Sequence, residues 1–191
     1  MSSPTESPAS APLEYATLAG GCFWCLEAVF LEVPGVQAVE PGYSNGRHPA
    51  PTYHLVCEGD TGHAEVVRIA FDPKQVSYEQ LLAVFFHVHD PTTLNRQGHD
   101  VGTQYRSGIY THDEGQASTA HQMIGELQTA LGPRTPVVTE VEPVRNYHVA
   151  EEEHHRYFER HPYQGYCAMV VAPKVERFRL AAKALLRAPG A

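Results

Sequence analysis

The stretch AEVVRIAF at residues 64–71 decides the fold, because it has the pattern of a strand at the centre of a sheet. Val, Ile and Phe occupy half of its positions, as is typical of a strand that is covered on both faces. The dipeptide Asp72-Pro73 ends it. Ser77 and Gln80 then form a capping-box pattern, which predicts a helix that runs to Asp90-Pro91.

Segments on both sides of this strand and helix extend the pattern. The expected further strands cover 14–19, 36–43, 105–110 and 137–141, and the expected further helices cover 23–31, 111–131, 151–160 and 174–187. The core elements follow the order strand, helix, strand, strand, helix, strand. This order predicts an α+β fold, a two-layer sandwich with a ferredoxin-like split β-α-β core, a mixed sheet and an irregular C-terminal segment.

Composition predicts one folded domain after a tail. Residues 1–13 are rich in Ser, Pro and Ala and contain neither a basic segment nor an apolar run, so we expect a disordered N-terminal tail there. Residues 14–191 are long enough for a single well-formed core, and we expect them to form one catalytic domain.

Charge and hydropathy argue against several classes of partner. The chain has 14 Lys and Arg against 22 Asp and Glu, and this net charge of -8 disfavours nucleic acid and anionic membranes. No segment approaches the roughly 20 apolar residues that a membrane helix needs. We therefore expect a cytoplasmic protein, by default a monomer. Its four cysteines then indicate catalysis, redox chemistry or metal binding rather than a disulfide framework.

The sequence GGCFWC at residues 20–25 is the most informative motif for function. It places Cys22 between a glycine turn and the first turn of a helix, where backbone amides favour the thiolate. We therefore expect a reactive thiol with a lowered pKa. Phe23 and Trp24 predict an apolar lining beside the sulfur. Cys25 completes a C-x-x-C spacing, which leaves two interpretations open: a thioredoxin-like redox partner of Cys22, or a buried packing residue.

Other ionisable residues are less specific. Glu65 lies just inside the start of the central strand; a buried carboxyl there is a candidate general acid, whereas an outward-facing one is an ordinary strand glutamate. The closest histidine pairs, at 87 and 89 and at 154 and 155, lack the i, i+4 spacing that converges on one ion, so we predict no metal. We interpret Glu151-Glu152-Glu153 as a solvated helix face and start.

Six motifs together resemble the A class of peptide methionine sulfoxide reductases. Jointly and in this order they are highly specific, and the resemblance covers nearly everything after the tail. They are Gly-Cys-Phe-Trp-Cys at 21–25, Gly42-Tyr43, Pro51-Thr52-Tyr53, GDTGHAE at 59–65, DVGTQYRS at 100–107, and Gly165-Tyr166-Cys167.

The resemblance implies a reaction and a role for each matched residue. The implied catalytic residues are the nucleophile Cys22, which attacks the sulfoxide sulfur, the acid Glu65, and the phenolic donors Tyr43 and Tyr105. The implied substrate-binding residues are Phe23 and Trp24 around the S-methyl group, with Asp100, Tyr157 and Tyr166 around the substrate backbone or pocket. The implied substrate is the S epimer of methionine sulfoxide, free or in oxidised proteins.

The resemblance also implies how the nucleophile is regenerated. Cys167 lies where the family often carries a resolving cysteine, Cys25 is the alternative, and Cys57 is the weakest candidate. Thioredoxin is the implied reductant, and no bound cofactor is implied. Two other functions stay open: a general thiol-disulfide oxidoreductase that uses Cys22 and Cys25, and a non-enzymatic module that binds oxidised methionine.

Overall fold

The computed structural model describes residues 12–187, with eight strands and six α-helices in that range. The strands are β1 (Glu14–Ala19), β2 (Val36–Ser44), β3 (Ala64–Phe71), β4 (Arg96–Gln97), β5 (Asp100–Val101), β6 (Gly108–Thr111), β7 (Glu140–Pro143) and β8 (His148–Val149). The helices are α1 (Phe23–Phe30), α2 (Tyr53–Cys57), α3 (Tyr78–Val88), α4 (Glu114–Leu131), α5 (Tyr157–Arg160) and α6 (Ala172–Leu185).

Six strands form one sheet in the order β7-β6-β1-β3-β2-β8. Strands β1 and β2 are both antiparallel to β3, so they run parallel to each other with β3 between them. This is the split β-α-β arrangement, with α1 as the connection. Strand β6 is antiparallel to β1 and parallel to β7, which makes the sheet mixed. The predicted α+β fold with a ferredoxin-like core is confirmed.

The main core lies between one face of the sheet and helices α1, α3 and α6. Its largest fully buried members include Phe30, Phe71, Phe85 and Phe178. The opposite face of β3 is also covered, since Val66 lies in a second buried cluster against which Tyr147 packs. Strand β3 is therefore buried on both faces, as its sequence predicts.

The start of α3 confirms the predicted capping box. The Ser77 hydroxyl accepts a hydrogen bond from the Gln80 backbone N–H at 3.1 Å, and the Gln80 side chain accepts one from the Ser77 N–H at 2.8 Å. These two bonds satisfy donors that the first helical turn leaves without partners.

Three expected boundaries are wrong, and one helix was not expected. The cap of α4 is Asp113, whose side chain accepts from the Gln116 N–H at 2.7 Å, because Thr111 belongs to β6. The strand expected at 105–110 begins only at Gly108, after a 3₁₀ turn at Thr103–Tyr105. The strand expected at 137–141 begins at Glu140. The loop before β3 also contains α2, which the sequence pattern did not predict.

The helix expected at 151–160 is also wrong. A 3₁₀ turn at Glu152–His154 and the four-residue α5 replace it. Arg156 separates them with a φ of 53°, a left-handed conformation that no helix continues through. The C-terminal segment after α5 passes through a π-helical turn at Cys167–Val171 into α6, which agrees with an irregular connection.

Two expectations concern the ends of the chain. Residues 1–11 of the predicted tail, and residues 188–191 of the predicted domain, lie outside the described residues. The division into a tail at 1–13 and one domain at 14–191 stays a prediction. Between residues 12 and 187, none of the helices has the length and apolar character required to cross a bilayer.

Candidate active site

Cys22 lies at the entrance of α1 and is only 8% exposed. The chain reaches it through Gly21, whose φ of 90° favours glycine and whose Cα closely faces the Gln97 side chain. Burial raises the pKa of the Cys22 thiol well above its ordinary value, and Cys25 and Glu65 raise it further. The expected lowering is wrong for this state, because desolvation outweighs the favourable backbone N–H of Trp24.

Cys25 and Cys167 are buried close to this thiol. Cys25 is 1% exposed, and its pKa is lowered first by a hydrogen bond from Cys22, then by Lys174 and by the Tyr166 hydroxyl. The Cys25 thiol therefore gives up its proton more readily than the Cys22 thiol. Cys167 is fully buried at the start of the π-helical turn, and its pKa is raised by burial and by the nearby charge of Cys25. All four cysteines are free.

Cys57 differs from the other three cysteines, because it is exposed at the end of α2. Its thiol interacts with the hydroxyl group of Tyr53.

Glu65 on β3 is 1% exposed and pairs across the sheet with Tyr43 on β2. Its Oε2 accepts a hydrogen bond from the Phe23 backbone N–H at 3.0 Å, which brings the carboxyl group beside the start of α1. Burial raises the pKa of Glu65 to about 8, because desolvation outweighs that hydrogen bond. The alternative of an outward-facing strand glutamate is wrong, and the group is able to give up a proton near neutral pH.

Two phenols lie close enough to Glu65 for its charge to raise their pKa values. Tyr43 is fully buried, and its hydroxyl donates to Glu151 Oε1 at 2.9 Å. Tyr105 is half-buried in the 3₁₀ turn before β6, and burial together with the charges of Glu65 and Asp100 raises its pKa. Both phenols therefore stay protonated. The single hydrogen of the Tyr43 hydroxyl is donated to Glu151 here, so that hydroxyl has to turn away from Glu151 before it can donate to another group.

Aromatic side chains form the apolar wall of the site. Phe23 is fully buried and contacts the Tyr43 ring, with centroids 5.7 Å apart. Trp24 is half-buried and stacks on Tyr157, with centroids 3.8 Å apart and an interplanar angle of 5°. The rings of Trp24 and Tyr166 meet in a T-shaped arrangement, with centroids 5.8 Å apart.

Asp100 and Tyr166 connect two segments at this wall. The Tyr166 hydroxyl donates to Asp100 Oδ2 on β5, so the C-terminal segment is tied to the β4–β5 hairpin. Burial, followed by the charges of Cys22 and Cys25, raises the pKa of Tyr166. The structure therefore brings all ten sequence-predicted site residues and Cys25 into one region around the start of α1.

Two residues of this region were not predicted. His154 is 4% exposed, and its Nδ1 accepts a hydrogen bond from Trp24 Nε1 at 3.1 Å. Glu151 accepts from the Tyr43 hydroxyl and from the Tyr53 backbone N–H, both at 2.9 Å. The interpretation of Glu151 as a solvated helix residue is wrong. These contacts join positions 98 to 130 residues apart, which leaves no signal in a single sequence.

Within residues 12–187 one group of potential metal ligands comes together: Glu151, Glu153 and His154. Because Nδ1 of His154 accepts from Trp24, the neutral ring carries its hydrogen on Nε2. Both carboxylate oxygens of Glu151 already accept hydrogen bonds. This donor set fits a hydrogen-bond network around the aromatic wall better than it fits an ion.

Comparisons with known proteins point in one direction. The family model described as peptide methionine sulfoxide reductase matches residues 14–185. The peptide methionine sulfoxide reductase MsrA of Polynucleobacter asymbioticus is 54% identical over 174 residues, which cover 91% of this chain and 92% of that protein. Mxr1 from Saccharomyces cerevisiae in reduced form has a TM-score of 0.76 and 34% identity, covering 85% of this chain and 92% of that chain. Mxr1 in complex with Trx2 has a TM-score of 0.55 and 24% identity over 81% and 89% of the chains, and it shares the fold.

Proposed function

The chain belongs to the peptide methionine sulfoxide reductase family, and on this basis we propose that it reduces the S epimer of methionine sulfoxide, free or in proteins, to methionine. One observation carries the proposal: a buried cysteine, Cys22, lies beside a buried carboxyl group, Glu65, that holds a proton near neutral pH. Reduction of a sulfoxide needs a sulfur nucleophile and an acid at the oxygen, and these two groups supply them.

The reaction transfers one oxygen atom to Cys22. The sulfur of Cys22 attacks the sulfoxide sulfur while Glu65 gives its proton to the sulfoxide oxygen. The Tyr105 hydroxyl donates a hydrogen bond to that oxygen, and so does the Tyr43 hydroxyl once it turns away from Glu151. The attack forms an S–S bond between Cys22 and the substrate. The protonated oxygen then moves from the substrate sulfur to Cys22 while this S–S bond breaks, so methionine leaves and Cys22 becomes a sulfenic acid. The proton of the Cys22 thiol restores the Glu65 carboxyl group, so the step balances.

The aromatic wall accounts for substrate choice. Phe23 and Trp24 offer the S-methyl group an apolar surface, while the acid and the phenols are hydrogen-bonding partners for the oxygen. A chiral sulfoxide places its methyl group and its oxygen correctly in only one configuration, so the site selects one epimer. Asp100, Tyr157 and Tyr166 lie at the rim of this wall, where they would contact the substrate backbone.

The sulfenic acid is resolved by thiols of the same chain. Cys25 already accepts a hydrogen bond from Cys22, and its lowered pKa favours the attacking thiolate. Its attack would form a Cys22–Cys25 disulfide and release water. Cys167 lies near Cys25, and its attack on the Cys25 sulfur would form a Cys25–Cys167 disulfide and return Cys22 as a thiolate. In this order of steps, Cys167 forms the final disulfide.

Thioredoxin is the proposed reductant of the final disulfide. The support is the yeast protein Mxr1, of which a structure with Trx2 exists. Because the cycle returns to free thiols, it suits a reducing compartment, and we propose that the protein acts in the cytoplasm as a monomer.

Cysteine variants test the proposal in a single turnover without added reductant. One equivalent of S-sulfoxide should yield one equivalent of methionine and a disulfide in the wild type. Cys22→Ser should yield no methionine. In Cys167→Ser, intact-mass measurement should find the Cys22–Cys25 disulfide, and in Cys25→Ser a sulfenic acid that dimedone traps. Methionine formed by Cys22→Ser would refute Cys22 as the nucleophile, and a Cys22–Cys167 disulfide in Cys25→Ser would refute the order of resolution.

The contact between Cys22 and Cys25 also favours a second candidate, a general thiol-disulfide oxidoreductase. That function needs both cysteines, so Cys25→Ser would abolish all turnover. Stoichiometric release of methionine by Cys25→Ser would exclude it.

A further inference from the structure

Glu27 is a buried carboxyl group that the proposed reaction does not use. It lies on α1, three positions after Trp24, and is 1% exposed. Among the described residues none donates a hydrogen bond to its buried Oε2. Burying a carboxyl group costs free energy unless other groups compensate, so its surroundings indicate its role.

Helix α1 packs against α5, and Glu27 and Arg156 line the same groove between them. Burial raises the pKa of Glu27, while the backbone N–H groups of Arg156 and Tyr157 act in the opposite direction by favouring the carboxylate. These are donors that the start of a helix leaves without intrahelical partners. Glu27 therefore interacts with the N-terminus of a neighbouring helix across the interface between α1 and α5.

This N-terminus needs support from outside. Arg156 has a φ of 53°, a conformation that is unfavourable for residues other than glycine, and its guanidinium is paired with Glu159 at 2.7 Å. Helix α5 has only four residues, and a helix of that length does not persist without tertiary contacts.

The first residue of α5 is Tyr157, the residue that stacks on Trp24. Glu27 and Trp24 lie on neighbouring turns of one face of α1, since residues three apart on a helix are neighbours. The carboxyl group and the indole therefore meet the same two-residue segment, one through its backbone and the other through its ring.

We propose that Glu27 is a positioning residue, whose buried carboxyl group fixes the left-handed turn at Arg156 and thereby holds the Tyr157 ring flat against Trp24. Its importance for substrate rests on the proposed function, because it acts through the wall that holds the S-methyl group. The contacts themselves do not depend on that function.

The fluorescence of Trp24 tests the proposal directly, because Trp24 is the single tryptophan of the chain. Glu27→Leu keeps the approximate volume and removes the acceptor, and Glu27→Gln keeps one acceptor oxygen. We expect acrylamide to quench Trp24 about twofold more efficiently in Glu27→Leu, with Glu27→Gln intermediate, because the Tyr157 ring no longer shields the indole. Quenching in Glu27→Leu equal to that of the wild type would overturn the proposal.

Glu32→Gln is the matched control. Glu32 lies on the same side of the molecule, lines the same groove of about 440 Å³ as Glu27, and pairs with Arg179 on α6 rather than with α5. Its change should leave the quenching of Trp24 at the wild-type value. Equal increases in Glu32→Gln and Glu27→Leu would mean that any lost charge in the groove loosens the site, and would overturn the specific role of Glu27.

A double variant asks whether Glu27 acts through Tyr157. In a Tyr157→Ala background, Glu27→Leu should add nothing to the quenching of Trp24, since the ring that it positions is absent. An undiminished effect in that background would contradict the proposal. In turnover, Glu27→Leu should raise KM for the S-sulfoxide about three- to tenfold with little change in kcat. If Glu27→Leu changes the quenching of Trp24 but the wild type does not reduce the S-sulfoxide, the positioning role is retained and the proposed function is refuted.

Discussion

Glu65 and Cys22 are both held out of water, and the loss of hydration moves both groups toward their protonated forms. For Glu65 this makes a carboxyl group into an acid that works near neutral pH. For Cys22 the raised pKa favours the thiol, whose proton would leave during the proposed attack. The sequence predicts the opposite sign for Cys22, because the amides at the start of α1 are local in sequence whereas burial comes from tertiary packing.

Glu65→Gln separates the acid from the hydrogen-bond donor, because glutamine keeps the size and a donor but has no proton to transfer. We expect the single-turnover rate of methionine release near neutral pH to fall about 10²- to 10⁴-fold. Since the pKa of Glu65 is about 8, the wild-type site loses its acid as the pH rises through about 8. This loss of rate should be absent from the variant. Rapid-quench measurements over a pH series give the rate of methionine release for both proteins. Superimposable pH profiles would contradict the assignment of Glu65 as the acid.

The element that presents Cys22 is α1, and the turn before it has little room. A Cβ atom on Gly21 would lie 2.7 Å from Gln97 Cγ, and Gly21 has a φ of 90°. Gln97 is itself buried, and its side chain accepts a hydrogen bond from the Asp90 backbone N–H, so it has little freedom to move. The entrance of α1 is therefore fixed by a glycine that touches the β4–β5 hairpin.

Gly21→Ala should lower the free energy of unfolding by about 1–3 kcal/mol, because both the backbone strain and the clash with Gln97 are added. It should also lower kcat/KM, because Cys22 follows directly. Gly125→Ala is the control: Gly125 lies inside α4, where a Cβ would meet no heavy atom of another element within 4 Å, and alanine should stabilise that helix by up to about 1 kcal/mol. Urea unfolding measures both; equal stability of the two variants would count against this account of the turn.

The sequence predicts some elements well and others poorly, for identifiable reasons. Residues 64–71 and the capping box at Ser77 were confirmed because strand periodicity and caps are local properties. The helix expected at 151–160 is absent because Arg156 adopts a left-handed conformation, which an arginine in the sequence does not predict. The helix expected to start at residue 111 has its cap at Asp113 instead, because pairing with β7 extends β6 to Thr111.

At the scale of the whole molecule, the sheet order brings the site together. Strand β3 lies between β1 and β2, so Glu65 comes beside Tyr43 and beside the start of α1, which follows β1. The sequence identified Cys22 by its place before a helix and Glu65 by its place on the central strand. His154 and Glu151 could not be found in this way, because their partners come from distant segments that meet only in the folded chain.

The acid also affects the stability of the whole fold. The pKa of Glu65 is raised from 4.5 to about 8. The protonated group therefore makes its full contribution to the free energy of unfolding below pH 4.5, and this contribution is lost as the pH rises through about 8. Glu65→Gln should therefore gain roughly 2–4 kcal/mol of stability relative to the wild type across this range. Urea unfolding at both ends of the range measures the difference.

Glu126→Gln is the control for this comparison, since it removes an exposed carboxylate on α4. It should follow the wild-type pH dependence. A constant difference between Glu65→Gln and the wild type at all pH values would contradict the raised pKa of Glu65.

The most direct test of the central claim is the turnover of each pure epimer of methionine sulfoxide by the wild type and by Cys22→Ser, with dithiothreitol as reductant and methionine as the measured product. The site around Cys22 and Glu65 should reduce the S epimer, leave the R epimer unchanged, and lose all activity in Cys22→Ser. Equal use of the two epimers, or methionine formation by Cys22→Ser, would contradict the account.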